Sequence, residues 1–211
     1  MAFVDLEDFL GRARLRLDPV EGEERLSEGG DIEFLDADGI ANIRRAAVLV
    51  PIIPRPAGPV TLLTHRPQTM KTHAGQVAFP GGKVDPVDAD EIEAALREAQ
   101  EEVGVDPDNV DLIARGAPYI TGTGFRIVPV VGVLPADFVP QPDPVEVDSV
   151  FETPLSFLMK AANHQRQQTR WKGQLRHYYE MPYEGHRIWG VTAGIIRGLY
   201  ERLYEAGEEA A

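Results

Sequence analysis

The chain lacks cysteine and has fewer basic than acidic residues, and each of these features excludes or disfavours some functions and partners. No cysteine occurs among its 211 residues, which excludes disulfide bonds and catalysis by a thiolate. Lysine and arginine together number 21 against 34 aspartates and glutamates, which gives a formal net charge of -13. A field of this sign disfavours nucleic acids and anionic membranes as partners. A small anionic ligand would need positive charge gathered locally, from a bound metal ion or a few basic side chains.

Long apolar runs are also missing. No stretch approaches the roughly 20 apolar residues that cross a bilayer. Near the N-terminus, Asp5, Glu7 and Asp8 stand where a targeting sequence would have a basic start and an apolar segment. We therefore expect a cytoplasmic protein without a membrane partner. A chain of this length suits one domain over residues 1–211.

The rest of the chain is organised around residues 75–105, where a glycine-rich turn leads into an acidic helix. Apolar side chains recur in the second half of this stretch at the three- and four-residue spacing of one helix face. These residues are Ile92, Ala95, Leu96, Ala99 and Val103. We expect that face to be buried against the core.

Three glutamates occupy the opposite side of this predicted helix. Glu98, Glu101 and Glu102 fall within about one turn, where like charges repel one another. A divalent cation would relieve the repulsion, and clustered carboxylates suit a hard ion such as Mg²⁺ or Mn²⁺. A solvated acidic helix face is the alternative interpretation, and the helix taken alone favours it.

The residues around the glutamates favour a metal site instead. The chain resembles the core of the Nudix box, Arg-Glu-apolar-x-Glu-Glu-x-Gly-apolar, at Arg97, Glu98, Ala99, Glu101, Glu102, Gly104 and Val105. The resemblance implies a Nudix hydrolase in which Glu98, Glu101 and Glu102 bind Mg²⁺ or Mn²⁺ and act in catalysis. Arg97 is the fourth catalytic candidate, and we expect it to brace the glutamates rather than touch the substrate.

Upstream of this core the chain departs from the full box. The glutamate position of the box holds Ala89, and its glycine position holds Lys83, because Gly82 comes one residue early. The loop thus carries one extra residue. Asp88 and Asp90 are the candidates to replace the missing acid.

A second pattern precedes the box. The segment Leu62-Leu63-Thr64-His65-Arg66, with Phe79-Pro80-Gly81-Gly82 at the expected spacing after it, resembles the signature of the coenzyme A pyrophosphatase branch of the Nudix superfamily. Position 71 holds lysine where the signature has arginine, so the planar fork that grips phosphate with two bonds is lost. Our candidates for substrate binding are Arg66, Lys71, His73, Gln76, Phe79, Gly81 and Gly82. Taken singly, the glycines also fit a turn and Phe79 also fits a core position.

Periodic patterns elsewhere predict an α/β fold. Helices are predicted at residues 4–17 and 191–204, and strands at residues 46–53, 60–64, 110–117 and 126–134. The basic segment 164–176 is predicted to be a hairpin that turns at Lys172-Gly173, since the acidity of the chain disfavours nucleic acid. Another hairpin is predicted at Glu184-Gly185, and Pro51 indicates a strand end or edge. The Nudix resemblance implies an α/β/α sandwich with a central mixed sheet.

For function, the resemblance implies a metal-dependent hydrolase that cleaves the diphosphate of coenzyme A or a derivative to phosphopantetheine and adenosine 3′,5′-diphosphate. Glu146 and Glu152 are candidates for a further acid beyond the box. One alternative is a Nudix pyrophosphatase acting on ADP-ribose, nucleotide sugars or dinucleoside polyphosphates. Another is a catalytically silent nucleotide- or protein-binding module, against which the three retained glutamates count. The resemblance also implies a homodimer.

Overall fold

A mixed β-sheet between two layers of helices forms the body of the fold. It is seen in a computed structural model that describes residues 5–67, 75–171 and 173–205. Within these residues nine strands make up the main sheet. They are β1 (Gly29–Gly30), β2 (Arg44–Arg55), β3 (Gly58–His65), β4 (Val77–Ala78), β5 (Gly81–Lys83), β6 (Asp111–Arg115), β7 (Tyr119–Ile120), β8 (Phe125–Val133) and β9 (Ser149–Pro154).

The described residues also contain a second, three-stranded antiparallel sheet, five α-helices and short 3-10 turns. The strands of the second sheet are β10 (Gln165–Trp171), β11 (Gln174–Tyr183) and β12 (His186–Trp189). The helices are α1 (Leu6–Arg16), α2 (Ala37–Ala41), α3 (Glu91–Val103), α4 (Leu155–Leu158) and α5 (Val191–Tyr200), which continues as a π-helical turn over Glu201–Glu205. In the part of the chain that the structure describes, no helix is long and apolar enough to cross a membrane.

Strand β2 is the centre of the main sheet. It runs parallel to β8 from Arg44 opposite Phe125 onward, and its far end pairs with β3 in antiparallel fashion. Its near end pairs with β5, which places Val48 opposite Gly81. The mixture of parallel and antiparallel pairs confirms the predicted α/β fold with a mixed sheet.

The two faces of β2 carry two separate hydrophobic cores. Ala47 and Leu49 face α3, while Val50 and Ile52 face the layer that contains α1, α4 and α5. This alternation follows from the two-residue period of a strand, and because both faces are covered, β2 is apolar almost throughout. The result is the predicted α/β/α arrangement.

The predicted strands and hairpins are confirmed with small shifts in their ends. Strands β10 and β11 pair around the turn predicted at residues 172–173, although Lys172 itself lies outside the described residues. The turn between β11 and β12 uses Glu184 and Gly185 at φ of 47° and 86°, as a tight hairpin requires.

The interpretation of Pro51 as a strand end or edge was wrong. Pro51 lies inside the central strand β2, opposite Gly132 of β8. It is tolerated because the regular pairing of β2 with β3 stops at Ile52, so no ladder bond is lost at its missing N–H. Its carbonyl instead accepts a bond of 2.8 Å from the Thr61 hydroxyl.

Candidate active site

Helix α3 is fixed at both ends by local contacts. The Asp90 side chain caps its N-terminus by accepting from the N–H groups of Ile92 and Glu93. Gly104 ends it in the left-handed conformation, at a φ of 72°. The face predicted to be buried does pack against the sheet, and Ala95, Ala99 and Val103 are fully buried. These contacts therefore fix the position of the acidic side of the helix relative to β5.

The glycines of β5 approach two of the glutamates closely. The Gly81 N–H donates to Oε2 of Glu102 over 3.2 Å. A β-carbon added at Gly82 would lie only 2.4 Å from the Glu98 carboxylate. Glycine at position 82 thus leaves the space in which that carboxylate sits.

A cluster of three carboxylates results, with one member from outside the helix. One oxygen each of Glu98, Glu102 and Glu146 lie within 4.8 Å of one another. Glu146 arrives through the proline-rich loop after β8, which is tied to the end of α3. In that loop the Gln141 N–H donates to the Val103 carbonyl over 2.9 Å, and the Asp143 N–H donates to the Glu102 carbonyl over 3.0 Å.

The cluster is electrostatically strained without a cation. The pKa of Glu102 is raised to about 7, mainly by burial; the Gly81 N–H and Arg66 oppose this rise, and the charges of Glu98 and Glu146 add to it. Burial also raises the pKa of Glu98; the charge and hydrogen bond of Arg97 oppose this rise, and Glu101 and Glu146 add to it. The end of a helix also carries partial negative charge, which makes it a poor place for more. Hard oxygen donors under such repulsion fit a divalent cation.

Arg97 contacts the cluster at Glu98, and its predicted bracing role stays a prediction. Its guanidinium makes two bonds to Asp88, at 2.8 and 3.0 Å, and further bonds to Glu98 at 3.2 Å and Glu101 at 3.0 Å. The bond from Arg97 is also the main reason that the pKa of Asp88 lies below its usual range. Asp88, with a side chain only 1% exposed, thus anchors the arginine.

The remaining acids lie elsewhere. The Glu101 side chain is half exposed and reaches Arg97 rather than the three clustered carboxylates, so its role as a metal ligand stays a prediction. Asp90 is engaged as the helix cap. Glu152 pairs with Arg55 at 2.5 Å, and of the two acids considered beyond the box only Glu146 joins the cluster.

A cavity of about 580 Å³ lies beside the cluster, on the other side of the β5 backbone. Arg66 links the two, since it lines the cavity and its Nη1 lies 4.0 Å from Oε1 of Glu102. Its Nε is buried without a hydrogen-bond partner in the described structure. A buried unpaired donor at a cavity wall is a favourable position for an anionic ligand atom.

The predicted substrate-binding residues meet at this cavity where the structure describes them. Those that line it are Arg66, Gln76, Phe79, Gly81 and Gly82. Phe79 is 3% exposed and packs in the core as well, in line with its alternative interpretation. Lys71 and His73 lie outside the described residues. Their assignment to substrate binding stays a prediction.

Sequence reasoning missed other residues of the wall. Arg44, Lys83, Phe125 and Trp189 also line the cavity. Of these, only Lys83 carried a local signal, because it directly follows the two glycines. The others come from three separate strands, β2 and β8 of the main sheet and β12 of the second sheet, which only the tertiary fold brings together.

Comparison with known proteins defines the class. Residues 43–172, more than half of the chain, match the family model described as the NUDIX domain. The chain therefore belongs to the Nudix family and is a Nudix hydrolase, and enzymes of this family generally use divalent metal ions.

The most similar relatives that we compared share a name within this family, but that name specifies no substrate. A Cronobacter sakazakii protein named "uncharacterized Nudix hydrolase NudL" is 46% identical over 164 residues, which covers 78% of this chain and 85% of the relative. A Photorhabdus laumondii protein of the same name is 39% identical over 200 residues, covering 95% and 98%. Among solved structures, a C. elegans Ap4A hydrolase binary complex is similar at a TM-score of 0.46 and 22% identity, over 54% of this chain and 81% of that chain.

Proposed function

We propose that this Nudix hydrolase cleaves the diphosphate of coenzyme A or a derivative to phosphopantetheine and adenosine 3′,5′-diphosphate. The proposal rests on the signature around Arg66 and Phe79, and above all on the cavity. Among the described residues that line it are Arg44, Arg66 and Lys83 but no aspartate or glutamate, although the chain has a net charge of -13. A wall of this composition favours a ligand with several negative charges.

We assign the cation, Mg²⁺ or Mn²⁺, to Glu98 and Glu102, whose raised pKa values and close approach make them the strained pair of the cluster. When bound, such an ion supplies charge neutralisation at the phosphates and a lowered pKa for water. Arg66 is placed to bind a diphosphate oxygen with its unpaired Nε. Arg97, anchored by Asp88, holds Glu98 in position.

We assign the general base to Glu146. It is exposed, and its carboxylate has no hydrogen-bond or ion-pair partner among the described residues. Water attacks one phosphorus, its proton passes to the Glu146 carboxylate, and the bridging P–O bond breaks with the leaving phosphate keeping the bridging oxygen. Positioned acid–base groups of this kind contribute roughly 10²- to 10⁴-fold in rate.

The test of this proposal is to measure turnover of a panel of diphosphate substrates by the wild-type protein and by a variant that lacks the Glu102 carboxylate. The wild-type protein with Mg²⁺ should cleave coenzyme A more efficiently than ADP-ribose, a nucleotide sugar or a dinucleoside polyphosphate. Glu102→Gln should abolish turnover while the circular dichroism spectrum stays native. Equal or better efficiency on ADP-ribose would contradict the substrate assignment, and near-normal turnover by folded Glu102→Gln would contradict the site.

Three wider points remain proposals from sequence and resemblance. We propose that residues 1–211 form a single Nudix hydrolase domain, which acts as a homodimer in the cytoplasm. Limited proteolysis that yields a smaller active core would contradict the first point. Sedimentation velocity of the purified protein decides between monomer and dimer.

A further inference from the structure

Two cations line the cavity besides Arg66, and both lie on the face of the main sheet that is opposite to helix α3. In the pairing of β2 with β5, Val48 lies opposite Gly81 and Ala46 opposite Lys83. Residues two apart on a strand share a face, so Lys83 and Arg44 lie on the cavity side of the sheet. Lys83 is two residues from Gly81, which corresponds to roughly 7 Å along the strand.

Among the residues that the structure describes, no acid neutralises either cation. The Arg44 guanidinium stacks at 3.8 Å on the Phe125 ring and donates to the Thr123 carbonyl over 3.1 Å. The Lys83 ammonium has no hydrogen-bond or ion-pair partner among the described residues. Neighbouring cations on β2 and β8 differ from these two: Arg45 pairs with Glu91, and Arg126 pairs with Glu24 and Glu28.

The cavity therefore offers positive charge at two separate places. Arg66 stands at the carboxylate cluster, where the diphosphate would be cleaved. Arg44 and Lys83, which we call the anion subsite, stand further along the same wall. A ligand with only a diphosphate at Arg66 would leave the anion subsite unused, whereas a ligand with a further phosphate group would have a second place to bind it.

We propose that the anion subsite of Arg44 and Lys83 binds a phosphate monoester on the sugar of the substrate, and so selects 3′-phosphorylated nucleoside diphosphates over those that lack this group. Lys83 is the principal contact, because its ammonium has no partner among the described residues and its position is closer to Gly81 than that of Arg44. Arg44 contributes a fixed charge, held in place by Phe125. This inference rests on the proposed function and identifies the 3′-phosphate as the group of the substrate that the enzyme recognises.

The test compares coenzyme A with dephospho-coenzyme A, which differs only by the 3′-phosphate. We expect the wild-type protein to prefer coenzyme A, and Lys83→Met to lower that preference by about tenfold or more, the size expected for a lost charge-assisted hydrogen bond. Lys83→Arg should retain most of the preference. Arg45→Met is the matched control, since it removes an adjacent charge that pairs with Glu91 instead of lining the cavity.

Binding without turnover gives a second readout. In a chelator, calorimetry should show adenosine 3′,5′-diphosphate binding more tightly than adenosine 5′-monophosphate, with the difference reduced in Lys83→Met. If the wild-type protein cleaves coenzyme A and dephospho-coenzyme A equally well, the subsite is overturned while the proposed function stands. An equal loss on both substrates in Lys83→Met would also overturn it. If neither compound is cleaved, the proposed function fails first and the inference fails with it.

Discussion

The backbone N–H of Gly81 and the carboxylate of Glu102 are joined by a hydrogen bond of 3.2 Å between strand β5 and helix α3. Glu102 is only 4% exposed, so this bond and the more distant Arg66 are what oppose the loss of its hydration. These two contacts do not fully compensate for the lost hydration, since the pKa of Glu102 rises to about 7. A buried acid that is only partly compensated is typical of a site whose ligand completes it.

Metal-free protein should lose stability as the pH rises. Folding raises the pKa of Glu102 from 4.5 to about 7, so the folded state favours the protonated acid. Below about pH 4.5 there is no effect, and above about pH 7 the ionised side chain lowers the free energy of unfolding by about 3 kcal/mol.

Urea unfolding in a chelator at pH 5 and pH 8 measures this change. Glu102→Gln cannot ionise and should be more stable than the wild-type protein at pH 8, with little difference at pH 5. Added Mg²⁺ or Mn²⁺ should stabilise the wild-type protein at pH 8 and have much less effect on the variant. A wild-type protein that gains stability on going from pH 5 to pH 8 in the chelator, relative to Glu102→Gln, would contradict this prediction.

Gly82→Ala should inactivate the enzyme by displacing Glu98. The added β-carbon would lie 2.4 Å from the carboxylate carbon, closer than atoms can approach. We expect kcat to fall by about 10²-fold or more, because displacement of a reacting group by about 1 Å has such effects. Gly11→Ala is the control, since a β-carbon there meets nothing within 4 Å. Turnover of Gly82→Ala equal to that of Gly11→Ala would show that this space is not needed.

Glu146 and Glu152 should differ sharply in their effects on turnover. Glu146→Gln removes the proposed base and should lower kcat by about 10²-fold or more, with Mn²⁺ affinity nearly unchanged. Glu152→Gln breaks the pair with Arg55 and should affect stability only slightly and turnover not at all. Steady-state kinetics and Mn²⁺ titration by electron paramagnetic resonance measure both quantities. Loss of Mn²⁺ affinity in Glu146→Gln would make Glu146 a metal ligand instead.

Asp88→Asn should weaken both the fold and the site. It replaces two charge-assisted bonds to Arg97 at a side chain that is 1% exposed, which we expect to cost about 1–3 kcal/mol. Because the pKa of Asp88 is lowered in the folded state, its contribution is present above the unfolded pKa of 3.8 and is lost as the pH falls through the lower folded value. Asp85→Asn, whose carboxylate is exposed and 3.9 Å from Arg97, is the control. Equal unfolding free energies for the two variants would refute the bracing role.

The parts of the fold that sequence predicted are those with a local cause. The buried face of α3 follows from residue spacing, and its end follows from Gly104. The hairpin turn at Glu184-Gly185 follows from the conformations those residues adopt. Pro51 was misplaced because its tolerance depends on where β3 stops pairing with β2, and no local pattern contains that information.

The same distinction holds for the candidate site. Glu98 and Glu102 are one helical turn apart, so their proximity could be predicted. Glu146 joins them only through the bonds that tie its loop to the end of α3, and Glu152 was an equally good candidate by sequence. Arg44 reaches the cavity because of the register between strands, which the sequence alone does not specify.

The most direct test of the account is to incubate the purified protein with coenzyme A and Mg²⁺ or Mn²⁺ in ¹⁸O-labelled water and identify the products by mass spectrometry. We predict phosphopantetheine and adenosine 3′,5′-diphosphate as products, with one ¹⁸O atom in the phosphate group of one of them. Without the metal ion we predict no products. Intact coenzyme A under conditions in which another diphosphate is cleaved would contradict the proposed substrate. Failure to cleave any diphosphate would contradict the assignment of the carboxylate cluster as an active site.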